Sequence, residues 1–290
     1  MSYEITLITT MAISVLFALS LNFITGFCGQ ISLGHAAFLG AGAYTSAMLS
    51  KAGIPFLMTI PAAAFCAAVL GAITGLASLR VRHDFLAITT MGVGFLFVGI
   101  IRQQDFFGGE IGIAGIPGSG FGKFGFMLIC LVLAFTFAAF SLYVRRSWMG
   151  FVFKSIADNE DVTRVLGIDV SRYKLIAFII GTGTAGVAGA LYAHHFRFIG
   201  PDSFGFVESI SVLAMVIVGG IGSVWGVIFA AALLSILPML VQFIDDYKLL
   251  LYSALLFSMM RFSPDGIAGL CTRLFSSKPG SIVRRDGDKQ

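Results

Sequence analysis

From Ile5 to Ser50 the chain carries no aspartate, glutamate, lysine or arginine, and beyond Lys51 the gap resumes from Ala52 to Leu79. A soluble domain does not fold under that constraint, because a helix packed on a water-facing core needs a polar outer face. Runs of this kind belong in lipid. Drawn out as one helix, the first would be roughly 69 Å long, more than twice a hydrocarbon core of about 30 Å. It has to break and turn back. The stretch "GFCGQISLGHAAFLGAGAY", Gly26 to Tyr44, offers glycines and polar side chains at which to do so. The rest of the chain agrees, with 57% hydrophobic and 12% charged residues over 290 positions and a mean hydropathy of +0.93.

The expected fold class is an all-α polytopic membrane protein with about nine transmembrane helices, eight to ten being the range, and a broken or re-entrant glycine-rich segment near 26–44. The spans fall near 5–25, 31–50, 55–79, 85–102, 124–144, 175–196, 207–222, 226–244 and 249–262. Residues 1–270 form one membrane domain, and 271–290 are expected to be a flexible cytoplasmic tail. "MSYEIT" lacks the basic region of a cleavable signal, so the first span is expected to stay.

Basic residues set the orientation. Of the 19 lysines and arginines, all but Lys51, Arg102, Lys123, Arg197 and Lys248 fall at Arg80 and Arg82, between Arg145 and Lys174, at Arg261 or after Cys271. The positive-inside rule puts that larger group in the cytoplasm, the loop "QQDFFGGEIGIAGIPGSGFGK" outside and, with nine spans, the N-terminus outside.

The cytoplasmic segment 145–174 is too long for a simple connector. It reads as a short amphipathic helix with Asp158 as N-cap, Asp161 three residues on, a small apolar face of Val162, Val165 and Leu166, and Gly167 as terminator. A solvated loop of mixed charge fits the same residues.

Other features carry less. "GTGTAG", Gly181 to Gly186, satisfies a dinucleotide fingerprint, but the uncharged run from Leu175 to Phe196 makes it a helix-packing surface, and "GAITG" at Gly71 to Gly75 fits the same role. His194 and His195 suit interfacial anchoring. Cys28, Cys66, Cys130 and Cys271 stand singly and suit packing. No metal site and no catalytic acid, base or nucleophile is expected. Asn22, Gln30, Ser32 and His35 are costly in lipid, so each faces either a translocation path or a hydrogen-bonding neighbour, and both readings stay open.

Four stretches together resemble the LivM-type permease subunits of branched-chain amino-acid ABC transporters: "GQISLGHAAFLGAGAY" (Gly29 to Tyr44), "ADNEDVTRVLGIDVSRYKLIAF" (Ala157 to Phe178) with "AGVAGALYA" (Ala185 to Ala193), "PDSF" (Pro201 to Phe204) with "GGIGSVWG" (Gly219 to Gly226), and "SPDGIAGL" (Ser263 to Leu270). Val162 and Thr163 stand where that family more often has small residues such as alanine. The resemblance implies a multi-pass permease of a bacterial inner membrane, working with two ABC ATPase subunits, a second related permease and a periplasmic binding protein. It implies no cofactor in this chain, with ATP used by the partner ATPases, and a small amino-acid substrate rather than nucleic acid. It also implies that Asp158, Asn159, Glu160, Arg164 and Gly167 couple to the ATPase. No Gly-x-x-x-x-Gly-Lys-Ser/Thr loop occurs anywhere in the sequence, so energy arrives from elsewhere. Similar permeases move urea and short amides. An ion-coupled secondary transporter would bury acidic or basic groups in mid-span, which nearly every span here lacks.

Overall fold

A computed structural model describes residues 2–78, 86–240, 248–262, 266, 267 and 269. The tail 271–290, Cys271, Arg80 and Arg82 lie outside the described residues, as does most of Ser263–Leu270.

Among the described residues the chain forms eleven α-helices: α1 Ser2–Leu21, α2 His35–Lys51, α3 Phe56–Ser78, α4 Leu86–Gln103, α5 Gly122–Arg146, α6 Trp148–Asp158, α7 Glu160–Val165, α8 Val170–Phe196, α9 Phe206–Gly219, α10 Val224–Leu240 and α11 Lys248–Phe262. Helices dominate because a backbone in lipid must bond to itself. Among the described residues six stretches are long and apolar enough to cross a membrane: Tyr3–Phe27, Phe56–Ala77, Leu86–Gln103, Gly122–Arg146, Val170–Phe196 and Pro201–Gly219. α2 and α10, each 17 residues, and α11, with 15, are shorter.

α8 is the centre of the bundle. α1 lies antiparallel to it, Thr10 meeting His195 and Ile24 meeting Gly181. α3 is antiparallel too, with Gly71 on Thr182 and Ala63 on Gly186, whereas α2 runs alongside in the same direction, Gly42 on Gly186 and Ser50 on His194. A β-carbon on Gly42 would fall onto the Gly186 backbone. The small residues of both glycine-bearing motifs thus bring helix axes together, the packing that replaces the hydrophobic effect in lipid.

At one end of the bundle lie α6, α7 and the arginines that close α5. At the other, His194 ties α8 to its neighbours: Nε2 contacts the hydroxyls of Ser46 and Ser50, each at 3.1 Å, and Nδ1 meets the Pro117 carbonyl at 2.9 Å. Beyond it, strands β1 (Ile113–Ala114) and β2 (Phe198–Ile199) pair antiparallel, Ile113 opposite Ile199.

The expected span at 31–50 begins later, at His35, for a local reason. α1 ends in one π-helical turn, Asn22–Phe27. Gly29 then takes φ +71°, which residues with a β-carbon resist, and the Gln30 N–H donates back to the Ile24 carbonyl at 3.2 Å. That closure is one residue wider than an ordinary glycine-terminated α-helix makes, as π winding requires. Residues up to Gly34 are consumed in turning the chain. Segment 145–174 holds two helices rather than one, and its last five residues already belong to α8.

Candidate coupling and translocation site

α2 starts inside the bundle, not at its edge. His35 stacks on Phe17 of α1, with ring centroids 5.4 Å apart. Its Nε2 lies 2.8 Å from the Ser20 hydroxyl. Ser20 spends its own hydrogen on the Phe17 carbonyl at 2.6 Å, so Nε2 is the donor and Nδ1 is left as an acceptor. The free N–H groups ahead of α2 are met from distant helices: Leu33 donates to Thr90 Oγ1 at 3.0 Å and Ala36 to Ser209 Oγ at 3.1 Å.

The other polar groups of the break are equally enclosed. Asn22 is buried, its Oδ1 accepting from the Gly222 N–H at 3.0 Å, which pins the α9–α10 connection to the end of α1. Gln30 is buried, its carbonyl accepting from Thr25 Oγ1 at 2.9 Å and its Nε2 reaching Cys28 Sγ at 3.8 Å. Ser32 is fully buried. Among the described residues Asn22 Nδ2 finds no acceptor, His35 Nδ1 no donor and Ser32 Oγ no partner of either kind. Each such group costs about 1–3 kcal/mol, and three within fourteen positions of chain mark a place built for something other than a finished core.

The segment after α5 comes up against this break. α6 buries Val152, Phe153 and Ile156, and the Phe153 ring meets Phe23 of the π turn edge-on at 5.8 Å. Ala157 abuts Gly29. Asp158 is not the cap of the next helix: α6 runs through it, and Asn159 caps α7, its side chain accepting from Asp161 N at 3.0 Å and Val162 N at 3.1 Å. The shift follows from Ile156, whose burial keeps the chain helical through Asp158. Glu160 pairs with Lys174 at the root of α8, and Arg164 lies 3.8 Å from Glu160 and 3.6 Å from Asp161. Gly167 closes α7 with φ +82°. The face made by Val162, Val165 and Leu166 turns outward, 56%, 88% and 69% exposed.

The model of a family described as "Branched-chain amino acid transport system / permease component" matches residues 4–260. The chain belongs to that family. Similar relatives include the high-affinity branched-chain amino acid transport permease protein LivM of Escherichia coli K12, 32% identical over 304 residues covering 94% of this chain and 72% of LivM. BraD of Pseudomonas aeruginosa is 26% identical, covering 88% of this chain and 91% of BraD. LivH of Escherichia coli K12 is 29% identical over 144 residues, 49% of this chain and 46% of LivH. No solved structure matches.

In this permease the structure gathers Asn22, Gln30, Ser32 and His35 at one break, and Asp158, Asn159, Glu160, Arg164 and Gly167 on one projection beneath it. Ser20, Thr90 and Ser209, which hold the break in place, are absent from the sequence-based set. A hydroxyl in an apolar run was the available signal, but Ser209 lies 173 positions from Ala36, its partner.

Proposed function

We propose that this permease forms the translocation path of an ABC importer for branched-chain amino acids, crossing a bacterial inner membrane nine times with its basic end in the cytoplasm. Two separate ATPase subunits hydrolyse the ATP, a second related permease completes the path, and a periplasmic binding protein delivers the hydrophobic amino acid. The names of LivM, BraD and LivH support the substrate class, and the LivM and LivH pair supports the second permease.

The observation that carries the reading is the tip of α7. Three apolar side chains face water at Val162, Val165 and Leu166, while the inner side of the same segment is held to the bundle through Glu160–Lys174 and Ala157–Gly29. An apolar tip on a charged rim suits the cleft of a soluble partner. ATPase closure acts on Asp158, Asn159, Glu160, Arg164 and Gly167, and α6 passes the displacement to the break. In the alternate state Asn22, Gln30, Ser32 and His35 line the path, where the orphaned atoms of Asn22, Ser32 and His35 meet water or substrate.

Reconstitution tests this. Vesicles holding the chain with its partner permease and ATPases take up leucine only with internal ATP and external binding protein. Uptake by the chain alone on an ion gradient, or transport of urea in place of leucine, overturns it.

A further inference from the structure

A cavity of about 710 Å³ opens at the end of the bundle away from α7. Three spans meet there: the first two turns of α1 at Ile5, Thr6 and Thr9, the start of α5 at Lys123 and Phe126, and the last turn of α8. That is headgroup depth in a bilayer, where a span leaves the hydrocarbon. Among the described residues lining it, Lys123 and Arg197 are cations and none is acidic; Glu4, next to Ile5 in the chain, does not line it. The two histidines of its wall are engaged by the protein, His194 by Ser46, Ser50 and Pro117, and His195 by Thr10 at 3.1 Å.

Arg197 stands where glycine is usual. It closes α8 in the left-handed conformation, φ +55°, and among the described residues no other residue with a β-carbon has a positive φ. Glycine would sit there without strain, so the arginine is there for its side chain. That side chain reaches back over the rim of the cavity, since a β-carbon on Gly118 would lie 2.8 Å from its Nη2. Lys123 comes to the same space from a different helix. In the orientation proposed above few cations lie at this end of the bundle, and two of them converge here.

We infer that this cavity holds the headgroup of an anionic phospholipid, with the phosphate between Arg197 and Lys123. Guanidinium and ammonium groups both bind phosphate through charge-assisted hydrogen bonds. A volume of about 710 Å³ lies within the range of small-ligand pockets, about 300–1,000 Å³. The acyl chains have a surface to follow. From the residue after Lys123, α5 carries the exposed side chains Phe124, Leu128, Leu131 and Phe135, which share one face of the helix down the span. A free amino acid has no use for such a ridge. A lipid seated this way ties the first turns of α1 and α5 to the end of α8, next to β2.

The test reads this cavity in the purified, assembled transporter in detergent, so it depends neither on transport nor on orientation. An environment-sensitive fluorophore on Ser119→Cys, a wall position, reports occupancy over the background of the native cysteines. Dioleoylphosphatidylglycerol shifts its emission at a concentration at least tenfold below that needed with dioleoylphosphatidylcholine, which has the same chains and no net charge. Glycerol phosphate, a headgroup without chains, and leucine shift nothing even in large excess. Arg197→Gly suits the backbone at φ +55° and keeps the fold. It and Lys123→Gln each raise the phosphatidylglycerol concentration for half-effect about fivefold, and together at least tenfold, while the response to phosphatidylcholine is unchanged. Arg197→Lys keeps most of the affinity. Equal response to the two lipids, no response to either, or a double variant that binds phosphatidylglycerol as the parent does overturns the assignment. So does a shift by glycerol phosphate or leucine that matches the one by phosphatidylglycerol, which would make the cavity a site for a soluble anion.

Discussion

A β-carbon built on Gly29 would stand 3.1 Å from the Cα of Ala157, closer than side-chain carbons ordinarily approach a backbone. The last turn of α6 therefore bears on the point where the first membrane run breaks. Gly29→Ala both strains a backbone at φ +71° and pushes on α6. The left-handed conformation alone costs about 1–2 kcal/mol for a residue with a β-carbon. The purified transporter should denature at a lower temperature and lose most ATP-driven uptake, while Gly53→Ala, at φ +89° with open space around it, should lower thermal stability yet keep uptake. Equal uptake in the two variants would show that the contact transmits nothing.

Leu166→Asp and Val165→Asp change side chains that are 69% and 88% exposed, so stability should stay within about 0.5 kcal/mol of the parent. ATPase copurification and uptake should both fall at least tenfold. Normal copurification with either variant would make α7 a mere connector.

Gly167→Val has open space for its side chain, and its cost is confined to the backbone at φ +82°. Expression and membrane insertion should remain near normal. Substrate-stimulated ATP hydrolysis should drop with uptake, because the end of α7 no longer sits in register with its partner. Hydrolysis that persists at the parental rate argues against coupling through this turn.

Phe153→Ala removes a fully buried ring from between Phe23 and Tyr173. Core truncations of this kind cost about 3–5 kcal/mol. Thermal unfolding of the purified chain should show that loss, with Phe153→Leu recovering much of it. An Ala variant as stable as the parent would mean that α6 does not pack on the break.

Orientation is open to thiol labelling in intact cells. A cysteine at Glu110, exposed in the loop before α5, should react with an impermeant reagent, and one at Val165 only once the membrane is opened. The reverse pattern would invert the bundle.

The helices were legible wherever a long uncharged run stood between charged residues. α4, α5 and the C-terminal end of α8 fall within two residues of the expected limits. Helix packing was legible as well, since glycine in a span has few other uses, and Gly42, Gly71 and Gly186 all lie at close approaches. Local pattern could not supply the start of α2. Gly29 advertises a turn, but the extra length of the break comes from a π turn whose closing bond, Gln30 to Ile24, has no side-chain signature. Asp158 and Asn159 both make good N-caps, and the choice fell to Asn159 because a buried contact at Ile156 extended the preceding helix.

α8 runs without interruption from Val170 to Phe196, 27 residues, or about 40 Å. Its root is clasped by the Glu160–Lys174 pair, and its far end continues through Arg197 into the short β ladder with the loop before α5. A stiff lever of that length, tilted by about five degrees, swings its far tip by roughly 3.5 Å. The strand pairing Ile113 with Ile199 would ride on that tip, so a nudge delivered beside α7 would be felt at the opposite end of the bundle, about seven helical turns away.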